Sequence, residues 1–205
     1  MRRAIVAALL TLAALPAEAQ EKPLFKPTRD VSVTYRMTSG QGAGGAQEMR
    51  MSWLVAEQKL RVDMPGGMGW SLVDEAAQKM SMVMDAQRMV MEMPMRSSSG
   101  AQLIPSQPPE TARFSRGSTA TIAGIRCTNW RYEDGGNRGE ACITADGVML
   151  RSQGSYEGHS GSIEATQVTY GPQDAARFRL PQGYQAMQMP GGVPGGAMPG
   201  GRPAR

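Results

Sequence analysis

Lys79-Met80-Ser81-Met82-Val83-Met84-Asp85-Ala86-Gln87-Arg88-Met89-Val90-Met91-Glu92-Met93-Pro94-Met95 decides how this chain folds. Methionine recurs at every second position on both sides of the polar Asp85-Ala86-Gln87. A helix would repeat its apolar residues every three to four positions, whereas strand side chains alternate between faces. Met80, Met82 and Met84 therefore share one side of one strand, and Met89, Met91 and Met93 one side of the next. A short polar turn between two such runs predicts an antiparallel hairpin.

The same alternation extends outward. Val31, Val33, Tyr35 and Met37 alternate with Ser32, Thr34 and Arg36, and Met49, Met51, Trp53 and Val55 follow a glycine-rich loop. Leu60, Val62 and Met64 come next, then Trp70-Ser71-Leu72-Val73-Asp74. Short polar connections at Ala56-Glu57-Gln58, Pro65-Gly66-Gly67 and Glu75-Ala76-Ala77 favour hairpin-linked strands over βαβ units. Residues 96–110 carry Ser97-Ser98-Ser99-Gly100 and three prolines, which predicts a long crossing loop with one helical turn around Ala101 to Ile104. Strand patterns resume at 112–123, 125–133, 139–144, 148–155 and 162–170. The expectation is a mostly β domain with little helix: a curved antiparallel sheet of about ten strands whose apolar side chains all lie on one face.

Cys127 and Cys142 flank Glu133-Asp134-Gly135-Gly136-Asn137, a strong turn signal. The midpoint between them falls inside that turn, so they are expected directly opposite each other on paired strands, within disulfide reach. A loop of this size contributes about 3 kcal/mol in the chain-entropy account. A redox role would call for a C-x-x-C spacing, which is lacking.

At the N-terminus, Met1-Arg2-Arg3 precedes an apolar run from Ala4 to Leu15, and Ala17-Glu18-Ala19 follows Pro16. This is the three-part signal-peptide pattern, and cleavage is expected after Ala19. The protein is then periplasmic or secreted, with residues 20–29 as an N-terminal extension, 30–184 as the folded domain and 185–205 as a disordered tail. No stretch reaches the roughly 20 apolar residues that a membrane-spanning helix needs. The chain has 22 Lys and Arg against 18 Asp and Glu, and no basic run with interleaved aromatics, so nucleic acid is not an expected partner. A monomer is the expected state.

Methionine is the compositional outlier: 17 residues, most of them within the predicted sheet. Met is apolar and flexible, and fills irregular cores. A soft lining also suits a surface that must adapt to varied apolar partners. Thioethers are moreover suited to Cu(I), and alternating Met on adjacent strands can gather several sulfurs. The tail repeats Met-Pro-Gly-Gly at Met189 and Met198, a composition too poor in apolar bulk to order itself.

The run Leu60-Arg61-Val62-Asp63-Met64, then Leu72-Val73-Asp74 and the paired Met strands, resembles small exported proteins of a domain-of-unknown-function family. Those proteins are in turn similar to the LolA/LolB/RseB-type half-barrels of the bacterial periplasm. Cys142-Ile143-Thr144-Ala145-Asp146-Gly147-Val148-Met149-Leu150-Arg151 fits their late strand-turn-strand, and Phe178-Arg179-Leu180-Pro181-Gln182-Gly183-Tyr184 is similar to their closing F-x-x-P-x-G-Y segment. The resemblance covers Val31 to Tyr184. It implies a LolA-like half-barrel with a concave apolar face, which in LolA-like proteins holds lipoprotein acyl chains and in RseB-like relatives serves a sensor that binds a partner. It implies no catalytic residue.

The expected function is binding of an apolar small molecule, a lipid or acyl chain, on that face. Trp53, Trp70, Met80, Met82, Met84, Met89, Met91 and Met93 would line the site and the 96–110 loop would cover it. An envelope protein as partner, with no small ligand, is the alternative, and a Cu(I)-binding protein a lesser one. Neither a cofactor nor catalysis is expected. Asp63, Asp74 and Asp85 lie near strand ends, where Asp is ordinary turn chemistry. His159, the sole histidine, reads as a loop residue, and Ser155, Ser160 and Ser162 form no G-x-S-x-G elbow.

Overall fold

The computed structural model describes residues 21–39, 47–95, 112–134, 137–156 and 159–188. The chain forms one sheet from β1 (Val31–Ser39), β2 (Gln47–Leu54), β3 (Lys59–Asp63), β4 (Trp70–Asp74), β5 (Lys79–Met84), β6 (Met89–Pro94), β7 (Arg113–Ile122), β8 (Ile125–Asp134), β9 (Asn137–Ile143), β10 (Met149–Tyr156), β11 (His159–Tyr170) and β12 (Gln185–Gln188). Their order across the sheet is β12-β6-β5-β4-β3-β2-β1-β11-β10-β9-β8-β7. Two antiparallel meanders, β1 to β6 and β7 to β11, thus meet where β1 pairs with β11. Among the described residues the helical elements are short 3₁₀ turns, and no helix is long and apolar enough to cross a membrane.

The tight connections have a common cause. Val55–Glu57 and Asp85–Gln87 each make one 3₁₀ turn, closed by Gln58 and Arg88 in the left-handed region. That geometry reverses the chain within the few residues the sequence supplies, which keeps neighbouring strands in register.

The register defines two faces. Val31 pairs with Trp53, Val33 with Met51 and Tyr35 with Met49. Across the next ladders Trp53 faces Leu60, Met51 faces Val62, and Leu60 faces Val73. Val73 faces Met80, which faces Met93. These residues form the main core, with Leu150, Ile163, Ala165 and the disulfide. Tyr35, Met51, Trp53 and Leu60 from one meander meet Ile143 and Met149 from the other around one small pocket, so the sheet curls toward this inner face.

The fold is the expected mostly β curved sheet, with corrections of detail. The strand count, twelve, is close to the ten or so expected, and β12 lies where the disordered tail was expected to begin. It pairs parallel to β6 and so departs from an antiparallel sheet. His159 opens β11 and pairs with Tyr156 rather than lying in a loop. Finally, the apolar residues do not all share one face. Trp70, Leu72, Val83 and Val90, with Leu54, pack outward against Phe178, Ala175, Leu180 and Tyr184. The segment after β11 crosses the outer face there, which is why β4 is apolar on both sides.

The disulfide is present, Cys127–Cys142, with Cα atoms 5.4 Å apart. The pairing is diagonal rather than direct, since Cys142 lies opposite Asn129. The hairpin centre falls between Asp134 and Asn137, which shifts the register from the expected midpoint. The helical turn expected at Ala101–Ile104, the signal segment and residues 189–205 lie outside the described residues.

Candidate functional site

The inner face of β2 to β6 is built almost wholly from the residues that the alternation singles out. Met80, Met82 and Met84 of β5 stand directly opposite Met93, Met91 and Met89 of β6. Trp53 lies on the same face, three strands away, through Leu60 and Val73. Trp70 does not. It faces Asp63 and Val83 on the outer side, 7% exposed, beneath the Arg61 guanidinium. The eight residues expected to line one site therefore divide into seven on the inner face and one behind it.

The seven are not equivalent. Met80 is 2% exposed and belongs to the core, and Trp53 and Met93 pack against that core. Met82, Met84, Met89 and Met91 are half-buried and belong to none of the core clusters. β12 widens this strip, because Met187 lies beside Met91 and is 54% exposed. The inner face thus grades from a filled centre at β1–β3 to an accessible thioether strip at β5, β6 and β12. The expected covering loop, 96–110, lies outside the described residues.

At the filled end, the N-terminal segment folds over the rim. Phe25 packs on Phe114 with ring centroids 5.1 Å apart, and the Lys26 ammonium contacts the Glu75 carboxylate at 2.5 Å. The Thr28 amide donates to the Asp146 carbonyl at 3.0 Å, and Arg29 Nε donates to Asp146 Oδ2 at 2.7 Å. Gly147, with φ +88°, admits this segment, since a Cβ there would lie 2.1 Å from the Lys26 carbonyl oxygen. Phe25, Lys26 and Glu75 border a pocket whose floor is Tyr35, Met51, Trp53 and Leu60. Its volume is about 50 Å³, enough for a few waters and far below the several hundred Å³ of a drug-sized ligand site. The face at this end is occupied by the protein's own side chains.

Ionisable groups are scarce and placed at the margins. Tyr35 is wholly buried, donates to the Met149 carbonyl at 2.7 Å, and is held protonated well above the usual tyrosine range by burial and, to a lesser degree, by Tyr170. Burial pulls the Asp146 carboxyl upward, but hydrogen bonds from Thr144, Arg29 and Tyr170 outweigh it and hold the group below the ordinary aspartate value. On the inner face of β3–β6 the exception to apolar character is Ser71. It lies between Val62 and Met82, is 2% exposed, and its hydroxyl has no hydrogen-bond partner among the described residues. No group of three or more His, Cys, Asp or Glu side chains that could hold a metal ion occurs among the described residues. The thioethers are the soft donors this surface offers.

Sequence reasoning missed the docking of Phe25, the outer-face cover by Phe178 and the contribution of Met187. An apolar Leu24-Phe25 pair in an otherwise polar stretch was the available signal for the first.

A family model for a domain of unknown function, DUF4412, matches residues 36–154. No curated protein matches the sequence. Among solved structures, an uncharacterized conserved protein from Thermus thermophilus is similar at 13% identity and a TM-score of 0.57, covering 79% of this chain and 91% of that one. MucB, in the Pseudomonas aeruginosa MucA/MucB complex, is similar at 13% identity and a TM-score of 0.52, over 80% of this chain. This chain spans about three-fifths of that protein, 59% of its length. A LolA superfamily protein from Nitrosomonas europaea is similar at 7% identity and a TM-score of 0.40, over 77% of this chain and 93% of that one. At such identities the likeness concerns the fold alone, an open curved sheet shared with the Thermus thermophilus protein and MucB.

Proposed function

This chain belongs to the DUF4412 family, and from that premise we propose that it is an exported binding protein that holds an acyl chain on the inner face of its half-barrel. The observation that carries the reading is the strip formed by Met82, Met84, Met89 and Met91: four thioethers on one face of two paired strands, half-buried and outside every core cluster. Side chains that only filled a core would be covered by it. Unbranched and polarizable, Met conforms to a flexible hydrocarbon at little cost in shape. Burying an acyl chain there would gain roughly 25 cal/mol for each Å² of apolar surface removed from water. The formed disulfide fits an oxidising compartment, in line with a periplasmic location after signal-peptide removal near Ala19.

Binding rather than catalysis is the reading that such a surface supports, since its described residues offer neither a nucleophile with an adjacent base nor a cluster of titratable groups. Native mass spectrometry of the exported protein, purified without detergent, tests it. A reproducible added mass that extracts as lipid, and is lost in a folded Met82→Asp/Met91→Asp variant, is expected. A bare mass in the unmodified protein would overturn the acyl reading in favour of a protein partner.

A further inference from the structure

Ser71 occupies an unusual place. On β4 it stands directly between Val62 of β3 and Met82 of β5, on the inner face, and its hydroxyl is buried without a partner among the described residues. A lone hydroxyl in an apolar wall is unfavourable unless something bonds to it. The cross-strand row that contains it continues through Met82 to Met91 and Met187, from buried to half-buried to exposed. Ser71 thus lies at the inner end of the thioether strip, beside the flexible Met82 side chain.

The charges on the flanking strands β3, β5 and β6 face away. Arg61, Asp63, Lys79 and Glu92 alternate with the inner-face residues on their strands, and pair with one another on the outer side as Arg61–Asp63 and Lys79–Glu92. A carboxylate or phosphate brought to Ser71 would lose its hydration without a cation from these strands to meet it. An uncharged carbonyl would lose little and gain one hydrogen bond.

We infer that the Ser71 hydroxyl donates a hydrogen bond to the ester carbonyl of an uncharged acyl ester, whose hydrocarbon lies along Met82 and Met91 toward Met187. The inference rests on the acyl-binding reading and narrows it: the ligand is a neutral ester, and Ser71 selects it over the free fatty acid.

Displacement of Nile red from the full exported chain, by methyl decanoate, decanoate and decane in turn, tests this. The unmodified protein is expected to release the dye at lower concentrations of the ester than of decanoate. Ser71→Ala should weaken competition by the ester about five- to tenfold, the loss of one hydrogen bond, and leave decane unchanged. Ser71→Thr, which keeps the hydroxyl, should retain ester binding. Ser71→Ala should also melt no lower than the unmodified protein, because the hydroxyl it removes has no partner among the described residues. Equal ester competition with and without the hydroxyl would overturn the anchor and leave acyl binding standing. Failure of all three compounds to displace the dye from the unmodified protein would overturn acyl binding itself, and the anchor with it.

Discussion

The Arg61 guanidinium lies 3.9 Å from the centroid of the Trp70 ring, on the face of the sheet away from the thioether strip. Arg61 also donates to the Arg177 carbonyl at 2.7 Å, and Arg177 reaches Asp63 at 3.0 Å. This pair ties the segment after β11 to the middle of β3 and β4. It turns an outer surface that would otherwise face water into a second small core, and fixes Trp70 there.

Phe178 is the plug of that second core, 1% exposed among Leu54, Trp70, Leu72, Val83 and Val90. Phe178→Ala should cost about 3–5 kcal/mol, the usual range for removing a buried aromatic side chain. Urea unfolding followed by tryptophan fluorescence measures it. A loss below about 1 kcal/mol would mean that the segment does not cover the outer face in solution.

Gly147→Ala should free the N-terminal segment. Its Cβ would meet the Lys26 carbonyl oxygen at 2.1 Å, and φ of +88° is unfavourable for alanine in any case. Amide exchange at Thr28, whose N–H bonds to the Asp146 carbonyl, is expected to accelerate at least tenfold, while amides of β1 keep their protection.

Replacing both Cys127 and Cys142 by alanine should destabilise the protein by about 3 kcal/mol, the chain-entropy value for a closed loop of this size. The comparison of urea midpoints should be made at equal m-value, so that a more expanded unfolded state is recognised.

Asp146 gives the N-terminal segment a dependence on pH. Its carboxyl is held below the ordinary value in the folded protein, so its contribution is present at neutral pH and is lost as the pH falls through that depressed value. The difference in urea midpoint between the protein and Asp146→Asn should therefore be greatest at neutral pH and shrink toward zero on acidification below about pH 4. A difference that grows on acidification would reverse the assignment.

Sulfur is not required for an acyl site, only apolar bulk of the right shape. Met82→Leu/Met91→Leu should leave uptake of an acyl probe within about threefold of the unmodified protein, since Leu and Met are near-equal in volume. Titration with Cu(I) under reducing conditions makes the contrast: stoichiometric binding that vanishes in the same variant would assign the strip to a metal.

The hairpin at Met80–Met93 and the strands around it are legible from sequence because polar and apolar residues alternate cleanly, and the register confirms six methionines on one face. Trp70 is misplaced by the same logic. Trp70-Ser71-Leu72-Val73 carries apolar residues at both parities, and the one that faces outward does so because Phe178 and Leu180, more than a hundred positions away, cover it. No local pattern holds that information. The disulfide is legible as a pairing but not in its offset, which depends on where the hairpin turns. β12 escapes for a different reason: Gln185–Gln188 has little strand character of its own, and the open backbone of β6 supplies the partner.

One property of the topology bears on how the molecule comes to exist. β1, the first strand made, lies in the interior of the sheet, and its second neighbour is β11, with Val31 against Tyr170. A chain that emerges N-terminus first must carry β1 to β6 as a half-built meander, one long edge open, until nearly all the domain has appeared. That seam joins the strands most distant in sequence, and its closure costs the most loop-closure entropy of any pairing in the sheet. Until then the chain is exposed to sticking to its neighbours, and whatever keeps it apart from them during that interval governs the yield of folded protein.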